Sequence, residues 1–182
     1  MSQNTDEPDQ RPSVPPTTRV PRPNEAEPVD ERTMARGWLT HPRESAIFKL
    51  EELTDEQLGW RPSPSANSLG GIVMHLGFSE RLWFRVIFAG ERMDLSWTAD
   101  RYAPTFVVPD GWSSRDVERF YRAESQAADA VIDAAVSLDQ ASQGEMRPTN
   151  LRWVLSHLVE ETARHVGHMD LTCELLDGRV GR

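Results

Sequence analysis

Apolar residues recur at three- and four-residue intervals through four separate stretches of this chain, and nowhere do they alternate with polar ones for the length of a strand. Each stretch is an amphipathic helix, and a helix with one apolar stripe must bury it against another element. In the first stretch Asp30 supplies a cap, and Met34, Trp38, Ile47, Leu50 and Leu53 fall near one face. Pro42 lies inside it and lacks the amide a helix interior uses, so a kink or a break into two pieces is expected there. A short turn of helix in TDEQLGW and a Pro/Ser loop follow. The second stretch starts at Asn67 or Ser68 and runs to Ala89, with Leu69, Ile72, Val73, Leu76, Trp83, Phe84 and Ile87 as its stripe and Gly90 as its stop. The third is capped by Ser113 or Ser114, with Val117, Phe120, Val131 and Ala134 as its core side. The last begins after Thr149 or Asn150 and runs to Leu176, where Gly178 ends it. Its apolar residues are Leu151, Val154, Leu155, Leu158, Met169, Leu175 and Leu176. The expected fold class is all-α, a four-helix bundle.

The remaining sequence divides simply. Residues 1–28 carry Pro8, Pro12, Pro15, Pro16, Pro21, Pro23 and Pro28 and almost nothing apolar, which predicts a disordered tail ahead of one domain over residues 29–182. Residues 91–112 have no period and contain Trp97, Tyr102, Pro104, Pro109 and Trp112. A segment of that length reads equally as a functional lid or as a plain crossover between helices. The single cysteine, Cys173, excludes an internal disulfide and is expected to be a small buried filler. There is no apolar run long enough for a membrane span and no signal-peptide core at the N-terminus, so a cytoplasmic protein is expected. With 29 acidic against 20 basic residues and a net charge of -9, a nucleic-acid partner is not expected.

Chemistry concentrates in the last helix, in HLVEETARHVGHMD. Glu161 and His165 are four residues apart, one turn on the same side, in phase with Leu151, Leu155 and Leu158. A carboxylate and an imidazole turned toward an apolar core need a partner, and a divalent metal is one. His75, on the stripe of Ile72 and Leu76 in the second helix, is the candidate third ligand. Two imidazoles and one carboxylate leave a coordination position open, the catalytic arrangement. The competing readings are a hydrogen-bonded core histidine and a solvated Glu-x-x-x-His face. His168 borders the group and is a candidate ligand or substrate contact, and His157 lies four residues before Glu161. Arg164 and Arg81 are candidates for holding a substrate carboxylate, against ordinary surface ion pairing.

Three stretches carry a resemblance: KLEELTDEQLGWRP, SLGGIVMHLGFSERLWFRVIFAGE and LRWVLSHLVEETARHVGHMDLTCELLDG. Over roughly residues 30–178 the chain resembles the DinB-like superfamily, and within it the actinobacterial branch that includes mycothiol-dependent transferases. Residues 94–112 match poorly, and Pro42 departs from the usual first helix. The resemblance implies a bundle with a long crossover. It also implies a metal, zinc first with nickel or manganese as alternatives, held by one histidine of the second helix and an i,i+4 pair of the fourth. Carried over, these are His75, Glu161 and His165.

Relatives of this kind use a low-molecular-weight thiol, so the resemblance further implies mycothiol as a co-substrate alongside a small electrophile. The leading expectation is thus a metal-dependent thiol S-transferase. A metal-dependent hydrolase or isomerase using activated water is the second, and a non-enzymatic metal- or ligand-binding stress-response bundle the third. A homodimer through apolar positions such as Trp97 or Trp112 is a further expectation.

Overall fold

In the computed structural model, residues 29–64, 67–93 and 103–180 are described, so the Pro-rich tail and Trp97 lie outside the described residues. Four long helical elements form an all-α bundle: α1 Glu31–Phe48, α3 Leu69–Glu80, α4 Ser114–Ala134 and α5 Leu151–Asp177. A short helix α2, Asp55–Gly59, precedes α3. The chain of α3 continues without interruption as a π-helical segment, Arg81–Phe88, and a 3₁₀ turn, Ala103–Phe106, lies in the crossover to α4. Among the described residues no helix is long and apolar enough to cross a membrane.

Local chemistry sets the helix ends. Asp30, Ser68 and Asn150 each accept a backbone N–H from the first turn, at 3.1, 3.1 and 2.9 Å. The carboxylate of Asp116 accepts from both the amide (2.9 Å) and the hydroxyl (2.6 Å) of Ser113. Gly178 closes α5 with φ +79°, a left-handed conformation that glycine adopts without a Cβ penalty.

Several expectations are corrected. α1 is one helix through Pro42 rather than two pieces. The missing amide there is offset by packing, since Leu39, Pro42, Ala46 and Ile47 are all buried. Its inward stripe includes Leu39, while Trp38 is 39 % exposed. On α4 the buried line is Val117, Tyr121, Glu124, Ala128 and Ile132, which leaves Ala134 exposed. On α5 Leu175 is 68 % exposed, because it lies on the outer face of turns whose inner face carries buried Met169, Thr172 and Cys173. Trp112 is also less available than its position suggests, for it is partly buried against Phe120.

α5 packs against both α1 and α3, and α3 against α4. α1 and α4 close the ring through ion pairs: Arg36 to Asp129 and Asp133, Arg43 to Asp129, and Arg122 to Glu44.

The core is not continuous. One apolar cluster gathers Leu39, the π-helical segment, Ala128, Ile132 and Leu151 to Leu158. The other gathers Ala46 to Leu50, Leu69 to Leu76, Val117, Tyr121, Met169 and Cys173. Between them every long helix contributes polar side chains: Arg43 from α1, His75, Ser79 and Glu80 from α3, Glu124 and Ser125 from α4, and Glu161, Thr162 and His165 from α5. In one half of this layer the Arg43 guanidinium holds fully buried Glu80 with two bonds (2.8 and 2.6 Å). Ser125 donates to the same carboxylate at 3.2 Å, and Asp129 takes the third Arg43 bond at 2.9 Å. Burial lifts the Glu80 carboxyl above its ordinary range, and Arg43 opposes that rise as its ion-pair partner. Removing one member of such a pair strands the other in the core. Glu80→Ala is expected to lower unfolding free energy by about 3–5 kcal/mol in a urea titration, and exposed Glu44→Ala by less than about 1 kcal/mol.

Candidate metal centre

The other half of the polar layer brings His75, Glu161 and His165 together across the α3–α5 interface. One potential ligand atom from each lies within 4.8 Å of the others. Nε2 of His75 is 3.2 Å and Nε2 of His165 is 3.4 Å from the same oxygen, Oε1 of Glu161. The rings of the two histidines stand edge to face with centroids 5.0 Å apart. Hydrogen bonds from His165 and then His75 hold the Glu161 carboxyl far below the usual carboxylate range, so it is an anion at any physiological pH.

The two rings differ in what lies behind them. Nδ1 of His75 pairs with the hydroxyl of Thr105 at 2.8 Å, and the Thr105 side chain is buried. The next residue, Phe106, stacks on the His75 ring at 4.0 Å with an interplanar angle of 10°. With Nδ1 engaged by Thr105, it is Nε2 that faces Glu161. Ser79, one turn along α3, places its hydroxyl 3.4 Å from that same nitrogen. Nδ1 of His165, by contrast, is buried with no hydrogen-bond partner among the described residues. Three ligand atoms converging on one point, two imidazole nitrogens and a carboxylate oxygen, are the arrangement a divalent ion would satisfy.

The crossover can reach His75 because of Gly71. A Cβ at that position would lie 2.4 Å from the carbonyl oxygen of Phe106, closer than any side chain permits. Thr105 and Phe106 were not singled out by the sequence. Their only signal there is membership of a long aperiodic segment of the kind that often carries function.

The remaining candidates are dispersed. His168 sits beside the centre, its ring 5.6 Å from that of His165. Arg81 gives two bonds to Glu124, one of them at 3.0 Å, and lies over Phe78 and Phe120. Arg164 pairs with Glu160 on the exposed side of α5. His157 packs against Trp83 and Trp153, away from the ligand cluster. Cys173 is buried, and burial pushes its thiol up.

The sequence matches the family model described as Mycothiol-S-transferase over residues 34–178. The chain belongs to the mycothiol S-transferase family. Membership ties it to a low-molecular-weight thiol. No curated protein matches the sequence. Among solved structures, the crystal structure of the conserved protein of locus from Enterococcus faecalis is similar with a TM-score of 0.66. It is 13 % identical, and the match covers 84 % of this chain and 100 % of that one. At that identity the likeness speaks for the fold alone, an all-α bundle.

The partner behind a metal-ligating histidine sets its ring orientation, so if His75 is a ligand the loss of Thr105 weakens affinity without emptying the site. Thr105→Val is expected to lower zinc affinity roughly 10- to 100-fold in competition with a chelating dye. Gly71→Ala, which displaces the crossover, is expected to act in the same direction, whereas Gly59→Ala, with open space around it, leaves affinity unchanged.

Proposed function

We propose that the chain is a metal-dependent S-transferase that joins mycothiol to an electrophilic small molecule. The observation that carries this reading is the convergence of His75, Glu161 and His165 on one point inside a bundle of the mycothiol S-transferase family. These three residues would hold a divalent ion, zinc first by donor chemistry, with nickel and manganese also compatible. When bound, such an ion supplies positive charge that favours the thiolate over the thiol at neutral pH.

The chain's own groups account for the rest. Glu161 contributes the only negative charge of the ligand set, so one thiolate added beside a divalent ion brings the centre to neutrality. Thr105 and Phe106 hold the His75 ring, which keeps the donors in place before any substrate enters. The two apolar clusters above and below the layer restrict water on either side, which strengthens every charge interaction between them. The transfer forms a bond from sulfur to the acceptor carbon and breaks the bond from that carbon to its leaving group. The leaving group departs with the electron pair, and the thiol proton goes to solvent. His168, at the edge of the centre, is the residue assigned to substrate contact. Arg81 and Arg164 are weaker candidates for it, each already engaged with an acidic partner.

Metal analysis of purified protein is expected to find about one ion per chain, lost in His75→Ala and in His165→Ala with helicity retained. Conjugation of mycothiol to a test electrophile is expected to fall at least roughly a hundred-fold on chelation and to return when zinc is restored. Full activity in metal-free protein would overturn the reading, and turnover of substrate with no thiol present would favour the hydrolase or isomerase alternative.

A further inference from the structure

A cavity of about 400 Å³ opens directly against the metal centre, with His165 as the shared wall. Its size falls within the range of small-ligand sites. Successive turns of α5 lead outward along it, from His165 to His168 and on to Leu171, Thr172 and Leu175. Pro62, Asn67 and Ile72 close the opposite side.

Two features of the lining define what it would take. First, none of its described residues is an arginine, lysine, aspartate or glutamate. The hydroxyl of Thr172 is already spent on the carbonyl of His168 at 2.9 Å, which leaves Asn67 and the histidines as the polar groups. Second, Leu171 and Leu175 are 61 % and 68 % exposed, a pair of leucines one turn apart on the outer face of α5. An apolar ligand lying against them would remove that surface from water. A polyhydroxylated thiol would instead leave most of its hydroxyls facing hydrocarbon, which is unfavourable.

We propose that this cavity seats the acceptor rather than the thiol, and that the acceptor is an uncharged, largely apolar electrophile whose fit is set by Leu171 and Leu175. The assignment rests on the S-transferase reading above for its chemistry, but the binding it describes does not depend on turnover. The acceptor's reactive carbon points toward His165 and the centre, and its apolar body lies along the two leucines.

The test separates binding from reaction. Calorimetry with 1,3-dinitrobenzene, which lacks an activated leaving group, is compared with 3-nitrobenzoate for the wild type, Leu171→Ser, Leu175→Ser and Leu171→Met. The expected result is binding of the neutral probe, weakened on the order of ten-fold by each serine and retained by methionine, with the anionic probe bound far less well. Equal binding of both probes, no binding of the neutral one, or affinity unchanged in both serine variants would overturn the assignment. Steady-state kinetics with mycothiol and 1-chloro-2,4-dinitrobenzene form the second arm. The serine variants are expected to raise KM for the electrophile and leave KM for the thiol unchanged, and the reverse pattern would overturn the assignment. If the neutral probe binds as described but no thiol conjugate forms, the pocket stands and the S-transferase reading falls.

Discussion

Everything in this bundle is arranged around one polar layer that crosses its core. An apolar interior cannot hold an arginine, three glutamates and two histidines unless each charge is neutralised where it stands. One half of the layer solves this internally. Arg43, Glu80, Ser125 and Asp129 form a closed set of bonds that ties α1, α3 and α4 together. The other half does not close. His75, Glu161 and His165 share one carboxylate oxygen, and a buried nitrogen of His165 has no partner among the described residues. The first half is a brace, and the second is a set of donors that converge on one point.

The position of α3 makes both halves possible. All its residues except Phe78 are buried, so it runs through the middle of the molecule rather than along its surface. A helix packed on every side needs small residues where neighbours come close, and Gly71 fills that need under the crossover. The consequence for function is specific. The crossover is not a connection that passes over the site, because its Thr105 and Phe106 set the orientation of the His75 ring. Sequence changes in that segment reach the centre through packing and one hydrogen bond.

The site has two unlike environments side by side. At the ligand cluster, charge and donors dominate. Farther outward along α5 the lining becomes mainly hydrocarbon, with no arginine, lysine, aspartate or glutamate among its described residues. That change of character fits a reaction between a charged sulfur nucleophile and an apolar electrophile. Under the proposed function each partner would find its own surroundings, and the two would meet at His165.

The sequence by itself determined the helices, their caps and the residues that approach one another at the centre. Asp30, Ser68, Ser113, Asn150 and Gly178 act where local hydrogen bonding dictates, within one turn of chain. Glu161 and His165 are legible because a helix places residues four apart on one side, and His75 because a lone imidazole on an apolar stripe stands out. Tertiary structure alone decided the rest. The course of α1 through Pro42, the exposure of Leu175 and the choice of Tyr121 and Glu124 over Ala134 as buried residues of α4 depend on which neighbour covers which turn. The pairing of Arg43 with Glu80 and of Thr105 with His75 spans residues far apart in the chain, brought together only when the helices pack. No local pattern encodes such contacts, since they arise from the burial of charge and the closeness of backbones, and both are properties of the assembled bundle.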